Sequence, residues 1–296
     1  MNPCPVADDG DPAKRLTKTI LFLSFLALLF VFAACSDKTA QTPVPSTGLD
    51  SGYLKEKEKK RADSLSALSR KKKKIYLTFD DGPNKGTRNV LEVIKAEQVA
   101  ASFFVVGQHS SDTRQQKETL ELLKAETSIE LCNHSYSHAR NRYTSFYENP
   151  AGVINDFNQA KALIGFNNNI ARMPGRNAWR IDSIDHTDIM ESKAAIDSLH
   201  ASGYAIMGWD IEWTFDHKTL APDADTALLL RRIYNMLEAN KTKTPGHLVL
   251  LAHDQAYQQV EYVENLRYVI KQLKNNPEYE LLLASKYPGC IKIKNN

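Results

Sequence analysis

The amino-acid sequence predicts an α/β fold, a distorted (β/α) barrel of about seven parallel strands that forms a single domain. Short apolar runs alternate with segments whose apolar residues recur every three or four positions, and unusual polar residues follow the ends of the runs. The 296 residues are 42% hydrophobic and 25% charged, which is enough apolar material for one sizeable core. A doubly wound open sheet is the competing arrangement.

The N-terminus has the pattern of an export signal. Lys14, Arg15 and Lys18 precede an apolar run from Ile20 to Ala34, which is shorter than the roughly 20 residues of a spanning helix. The small pair before Cys35 resembles a bacterial lipobox. We therefore expect a signal peptide over residues 1–34 and lipidation of Cys35, with a plain signal peptide or a short signal anchor as the alternatives.

Residues 35–73 are predicted to be a tether. Ser, Thr and Pro dominate as far as Gly48, and a Lys/Glu-rich helical stretch follows. Residues 55–74 carry a net charge of +7, so the remainder of the chain sums to −4. A slightly acidic globular part is not typical of a nucleic-acid-binding protein.

The domain is predicted to run from residue 74 to residue 296. Its apolar runs, each long enough for one strand, are Ile75–Phe79, Ala101–Val106, Ile129–Cys132, Ile170–Met173, Ala205–Trp209, Leu248–Ala252 and Tyr279–Leu283. The helix-like segments between them are Val90–Val99, Lys117–Ala125, Asn155–Ile164, Ser192–Ala201, Thr226–Leu237 and Val263–Leu273. Strand and helix in regular alternation predict a parallel sheet that is closed or nearly closed.

Polar residues follow these strands where each one ends. They are Asp80, Asp81, His134, Arg172, Asp210, Glu212, His253 and Asp254. The carboxyl ends of parallel strands meet at one rim, which is where active sites are built in such folds. Two adjacent carboxylates are costly to bury without a positive partner, so we expect a cation beside Asp80 and Asp81.

The stretch from Asn133 to His138 indicates a metal site. Two histidines at positions i and i+4 lie on one face of a helical turn, and with one aspartate they form a set that leaves coordination positions open. This spacing alone is weak, because either histidine could instead cap a helix or form a hydrogen bond. The neighbouring Asp-Asp strand end strengthens the metal interpretation.

Four motifs in order resemble the NodB-type polysaccharide deacetylases, carbohydrate esterase family four. They are Thr78-Phe79-Asp80-Asp81-Gly82-Pro83, His134-Ser135-Tyr136-Ser137-His138, Arg172-Met173-Pro174-Gly175 and Leu251-Ala252-His253-Asp254. The resemblance implies a catalytic domain in which Asp81, His134 and His138 hold a divalent metal, usually zinc. It further implies that Asp80 is the general base, that Arg172 orients Asp80, and that His253 is the general acid.

Two stretches depart from the family pattern. The family carries an aromatic residue where this chain has Gly175, whose backbone N–H is still expected to help bind the oxyanion. In Gly208-Trp209-Asp210-Ile211-Glu212-Trp213 we expect Asp210 to hold the His253 imidazole, with Glu212 as its rival. Trp209 or Trp213 is expected to line the acetyl pocket. Trp179 is either a core aromatic residue or a platform for a sugar ring.

The resulting hypothesis is a metal-dependent deacetylase of acetylated glycan, exported to the cell envelope, lipid-anchored to a bacterial membrane and monomeric. An O-acetyl esterase and an inactive glycan-binding module are the alternatives. Cys132 and Cys290 could pair in an oxidising compartment, but a buried free thiol is expected for Cys132. Asp182, Asp185 and Asp188 are expected to lie in a polar loop that is solvated or covers the site, and the loop from Arg176 to Asp188 is expected to help decide the substrate.

Overall fold

The computed structural model describes residues 51–290. The predicted signal peptide, Cys35 and the first part of the predicted tether lie outside this range. Helix α1 spans Ser51–Lys71, in agreement with the predicted Lys/Glu-rich helical stretch. Among the described residues, no helix combines the length and the apolarity that crossing a bilayer requires.

Ten strands form one sheet. They are β1 (Lys73–Asp80), β2 (Ala101–Val105), β3 (Ile129–Asn133), β4 (Ile170–Ala171), β5 (Ala178–Ile181), β6 (Ile184–Thr187), β7 (Ala205–Ile206), β8 (Ile211–Trp213), β9 (His247–His253) and β10 (Tyr279–Leu281). Their order is β6-β5-β7-β4-β3-β2-β1-β9-β8, and β10 pairs with the start of β1. The sheet is a curled half-barrel of mainly parallel strands with helices packed on it.

The predicted α/β architecture is confirmed, and all seven predicted strands are present. The seven pair in parallel, whereas β5 and β6 form an antiparallel hairpin where a polar loop was expected. Strand β6 of this hairpin lies at one end of the described sheet, where outward-facing side chains are polar. These polar residues weaken the pattern of apolar residues from which strands were predicted. Strand β8 was also missed, because it begins only a few residues after β7.

Seven further helices connect the strands, and the six predicted ones are confirmed. They are α2 (Thr87–Glu97), α3 (Arg114–Ala125), α4 (Tyr143–Tyr147), α5 (Pro150–Ile164), α6 (Lys193–Ala201), α7 (Thr226–Glu238) and α8 (Val260–Asn275). Side-chain caps fix several of their starts: Thr113 accepts from the N–H of Gln116, Asn149 from that of Gly152, and Asp225 from that of Leu228.

The alternation of side chains along β1 places the carboxylate of Asp80 on the inner face of the curled sheet. Ile75, Leu77 and Phe79 pack into the main core with α2, α7 and α8. Tyr76 points to the opposite face and packs in a second core with Phe104 and Cys132. Thr78 and Asp80 follow Tyr76 with a period of two, so they share this inner face and are buried there.

Candidate active site

The Asp80-Asp81 pair is separated by a change in backbone conformation. Asp80 is the last residue of β1, whereas Asp81 adopts a left-handed conformation with φ of 76°. The chain therefore turns at Asp81 itself, one residue earlier than the Gly82-Pro83 turn that the sequence pattern indicates. His109 donates from Nδ1 to the carbonyl of Asp81 at 2.8 Å. This contact was not predicted for His109, since no motif includes it.

His134 and His138 converge, but not on a helical turn as predicted. His134 follows β3, and Ser135 and His138 both have positive φ, at 68° and 49°. The segment forms an irregular turn because the carboxylate of Asp156 on α5 accepts the backbone N–H groups of Tyr136 and Ser137, at 2.9 and 3.0 Å. A neighbouring element thus shapes the turn, which periodicity could not reveal.

Asp81, His134 and His138 present three ligand atoms within 4.8 Å of one another. The Nδ1 atom of His134 donates to the carbonyl of Arg172 at 2.9 Å, which directs Nε2 toward the carboxylates. Oδ1 of Asp81 lies 3.5 Å from Nε2 of His134 and 3.2 Å from Nε2 of His138. The three predicted metal ligands therefore face a common point.

The electrostatics of this cluster are those of a cation site. Burial, the largest influence, raises the pKa of Asp81, but the two imidazoles together lower it well below its usual value. Burial correspondingly lowers the pKa of His134, whereas Asp80 and Asp81 outweigh burial and raise it. Each side therefore stabilises the charged form of the other.

These residues fit a zinc ion. Two imidazole nitrogens and one carboxylate oxygen are ligands that zinc accepts, and three protein ligands leave one position of a tetrahedron open. Tetrahedral bonds of about 2.1 Å place ligand atoms about 3.4 Å apart. The 3.2 and 3.5 Å separations are close to that value. Oδ1 of Asp81 is also buried with no hydrogen-bond donor among the described residues, as expected for an atom that binds metal.

Arg172 fixes Asp80 from the side opposite the histidines. Its guanidinium is fully buried and donates from Nη1 to Oδ1 of Asp80 at 2.7 Å and to Thr78 at 2.9 Å. Its remaining donors reach the carbonyls of Met207 and Gly208, and its plane lies 4.0 Å from the Phe104 ring centroid. Oδ2 of Asp80 is left facing Nε2 of His134 at 3.6 Å.

His253 ends β9 directly beside the end of β1, in register with Asp80. Its Nδ1 atom is buried without a hydrogen-bond partner among the described residues and lies 3.9 Å from Oε1 of Glu212. Burial raises the pKa of Glu212, and this effect is larger than the opposing electrostatic effect of His253. Glu212, the rival candidate, is therefore the carboxylate that faces the imidazole.

The expectation that Asp210 supports His253 is corrected by the structure. Its carboxylate accepts backbone N–H groups from Lys243 at 2.7 Å and from Val249 at 2.8 Å. Burial raises the pKa of Asp210 to about 6. Asp210 thus ties the segment between β7 and β8 to the start of β9, and it does not contact the imidazole.

Two of the three tryptophans proposed as substrate contacts are core residues, which for Trp179 is one of the two stated alternatives. Trp213 is buried in the main core against Tyr257, with its indole N–H donated to the carbonyl of Ala224. Trp179 is fully buried against Tyr287, and its N–H is donated to Asn177. Neither side chain can line a pocket open to substrate. Trp209 is half-buried, and the Arg172 guanidinium lies 5.9 Å from its ring centroid, so it stays a candidate.

Gly175 lies beside a tyrosine that no sequence motif singles out. Its φ is +62°, and a Cβ atom there would come within 2.9 Å of the Tyr143 ring. Tyr143, on α4, meets the His138 ring edge-on at 6.1 Å between centroids. Tyr143, which belongs to another element, therefore fills the space where the family carries an aromatic side chain after the Arg-x-Pro motif. No local sequence pattern indicates this replacement.

Asp254 anchors the loop that carries Asp80 and Asp81. It is fully buried and accepts hydrogen bonds from the Thr87 hydroxyl and the Asn84 amide. A Cβ atom on Gly82 would lie 2.4 Å from its carboxylate. Burial, and then the charges of Asp81 and Asp80, raise the pKa of Asp254 to about 8. Its role is to hold the loop, since its oxygens are engaged in these hydrogen bonds.

Comparison with known sequences gives a family match for part of the chain. The family described as Polysaccharide deacetylase matches residues 67–175, which include Asp80, Asp81, His134, His138 and Arg172. The match ends at Gly175, where the chain departs from the family motif. His253 and Glu212 lie beyond it, and the strand register of β1, β8 and β9 is what brings them to the same rim.

Curated relatives share this region at low identity. YheN of Bacillus subtilis, described as a putative polysaccharide deacetylase, is 27% identical over 186 residues, covering 62% of this chain and 58% of the relative. A chitin disaccharide deacetylase of Vibrio alginolyticus is 24% identical over 213 residues, covering 51% of this chain and 50% of the relative. The chain thus spans between half and three fifths of the length of these two relatives.

Solved structures share the fold. The catalytic domain of a peptidoglycan N-acetylglucosamine deacetylase from Eubacterium rectale has a TM-score of 0.53 at 21% identity, covering 76% of this chain and 94% of that one. A Streptococcus mutans CE4 esterase also has a TM-score of 0.53, at 23% identity, covering 75% and 90%. The described domain therefore shares the fold of these two solved structures, and residues 67–175 match the polysaccharide deacetylase family.

Proposed function

We propose that this protein is a metal-dependent hydrolase that removes acetyl groups from N-acetylated glycan. The observation that carries the proposal is the convergence of three metal-ligand side chains with an arginine-anchored carboxylate and a carboxylate-facing histidine at one rim. Hydrolysis of an acetamide needs an activated water, stabilisation of a negative oxygen and a proton for the departing amine. The site offers a group for each requirement.

Asp81, His134 and His138 would hold the metal, with zinc as the expected ion. When bound, such an ion polarises the acetyl carbonyl and acidifies a water molecule. The two relatives named above as deacetylases support this substrate class without establishing it.

Asp80 would act as the general base. Arg172 holds Oδ1 and keeps it from rotating, so Oδ2 is the oxygen placed to take a proton from water. The backbone N–H of Gly175 would donate to the developing oxyanion. The left-handed backbone there is tolerated because glycine has no Cβ.

His253 would be the general acid. With Nδ1 directed toward Glu212, Nε2 is the nitrogen available to give a proton to the leaving amine. Glu212 would orient the ring, because its Oε1 atom lies 3.9 Å from Nδ1.

Acetate release tests the proposal. The full chain is incubated with N-acetylglucosamine oligomers and with acetylated xylan, with zinc or with a chelator. Zinc-dependent release from the N-acetylated oligomers is expected. Release from xylan alone would favour the O-acetyl esterase alternative. No release from any acetylated glycan by zinc-loaded protein would support the glycan-binding module.

Substitution of the base separates chemistry from metal binding. Asp80→Asn should abolish turnover while leaving zinc bound, because Oδ1 keeps a polar partner and the three ligands are unchanged. Zinc content by elemental analysis and acetate release are measured on the same preparation. Loss of both properties would mean that the roles of Asp80 and Asp81 are exchanged.

We further propose that the protein is exported and anchored by lipid at Cys35. The support is the sequence pattern of residues 1–34 alone. In a bacterial host, full-length protein should partition into detergent, and Cys35→Ser should partition into the aqueous phase. Equal partitioning of the two proteins would leave the signal-anchor alternative.

A further inference from the structure

Three described side-chain polar atoms are buried without a hydrogen-bond partner among residues 51–290. They are Oδ1 of Asp81, Nδ1 of His253 and Nε of Arg176. Buried polar groups are normally hydrogen-bonded, so an unpartnered one indicates a site that is completed by something else. Two of the three belong to the proposed catalytic machinery. The third, Arg176, has no part in that chemistry.

Arg176 is held beside the site by two aromatic rings. Its guanidinium carbon lies 5.6 Å from the Tyr143 ring centroid and 5.1 Å from that of Tyr147. Tyr143 in turn meets the His138 ring edge-on. The guanidinium is therefore one aromatic ring away from a proposed metal ligand, on the side where Tyr143 packs against Gly175.

The hydrogen-bonding capacity of Arg176 is largely unused. Its described hydrogen bond runs from Nη1 to the carbonyl of Gly175 at 2.7 Å. No carboxylate among the described residues forms an ion pair with it. The nearby Asp188 is engaged elsewhere, because its two oxygens accept the backbone N–H groups of Asn177 and Ile189. A guanidinium placed between two aromatic rings, with donors left free, suits a planar carboxylate, which it can bind through two parallel hydrogen bonds.

We propose that Arg176, framed by Tyr143 and Tyr147, binds a carboxylate on the glycan, so that the preferred substrates are acetylated glycans with an acidic substituent near the acetamide. This inference rests on the proposed function and specifies its substrate class. The exposed Arg140, on the turn that leads to Tyr143, carries the same charge and serves as the control.

A matched pair of oligosaccharides tests the proposal. One is a tetrasaccharide in which N-acetylglucosamine alternates with its 3-O-lactyl derivative, and the other is the same molecule with the lactyl carboxylates amidated. Binding to the zinc-loaded full chain is measured by calorimetry, and kcat/KM by acetate release. The wild type should prefer the free carboxylate about 10- to 100-fold, the usual strength of hydrogen bonds to a charged group.

Two variants localise the effect. Arg176→Gln should abolish this preference, whereas Arg140→Gln, which removes the same charge from the neighbouring turn, should retain it. The proposal is overturned if the wild type binds both molecules equally or if Arg176→Gln keeps the wild-type preference. A binding preference without acetate release would sink the proposed function and leave the carboxylate subsite standing. Acetate release without a preference for the free carboxylate would overturn the carboxylate subsite and leave the proposed function standing.

Discussion

The carboxylate of Glu212 faces Nδ1 of His253, whereas that of Asp210 accepts two backbone N–H groups. The two residues are of the same chemical type and are separated by one position in the sequence. Alternation along an extended chain would place them on one side, and both follow the fifth predicted strand. The bend between β7 and β8 separates their roles, and that bend has no signal in the sequence pattern.

This division predicts opposite effects for two conservative substitutions. Glu212→Gln should lower kcat at least about tenfold with little change in KM, because it removes the carboxylate charge that faces Nδ1 of the proposed acid His253. Its free energy of unfolding should stay near that of the wild type. Steady-state kinetics and urea denaturation measure the two quantities.

Asp210→Asn is the matched control. It should lower the free energy of unfolding by about 1 kcal/mol, since one backbone N–H loses its acceptor, and it should change kcat much less than Glu212→Gln does. If Asp210→Asn is instead the variant that loses turnover in folded protein, Asp210 supports the acid after all.

At the scale of elements, the turn from His134 to His138 depends on helix α5. Asp156 on that helix accepts two consecutive backbone N–H groups of the turn, which otherwise contains residues in the left-handed region. Residue type and spacing were enough to predict that the two histidines converge with Asp81. They could not identify Asp156, because it lies 19 and 20 positions after the two residues whose N–H groups it accepts, and the contact arises only when α5 packs beside β3.

Asp156→Ala should therefore weaken zinc binding about 10- to 100-fold, the usual cost of removing a group that orients a metal ligand. A thermal unfolding measurement should show that the metal-free variant is still folded. Zinc affinity is measured by competition with a chromophoric chelator, and the exposed Asp112→Ala serves as the control. Unchanged zinc affinity in Asp156→Ala would show that the turn holds its shape without this contact.

At the scale of the whole molecule, the sequence predicted the architecture and the convergence of the motif residues well. Periodicities of two and of three to four are set by local geometry, so seven strands and six helices could be found from them. The parts that the sequence left undecided or missed depend on tertiary contact. They are the edge hairpin β5–β6, the filling of the space beside Gly175 by Tyr143, and the choice between core and substrate contact for Trp179 and Trp213.

The buried Asp254 makes the stability of the domain depend on pH. An aspartate carboxyl has an ordinary pKa of 3.8, and folding raises the pKa of Asp254 to about 8, so the folded state binds more protons between these values. The stabilising contribution of the protonated group is fully present below pH 3.8 and is lost as the pH rises through 8. The free energy of unfolding should therefore fall from about pH 5 to about pH 8.

Asp254→Asn tests this dependence, because asparagine has a similar shape and does not titrate. The urea-derived free energy of unfolding of metal-free protein should fall less between about pH 5 and pH 8 in this variant than in the wild type. The exposed Asp112→Asn should follow the wild type. Parallel pH profiles for all three proteins would assign the dependence to other groups.

The pairing of Asp80 with His253 across β1 and β9 has a consequence for how such a protein can diversify. Neighbouring strands lie about 4.8 Å apart, so the spacing of the two residues is set by backbone hydrogen bonds of the sheet. The surfaces around them come from separate segments, the turn before α4 and the stretch after Gly175. Exchange of those segments is expected to change what the rim binds, while the spacing of Asp80 and His253 stays set by the sheet.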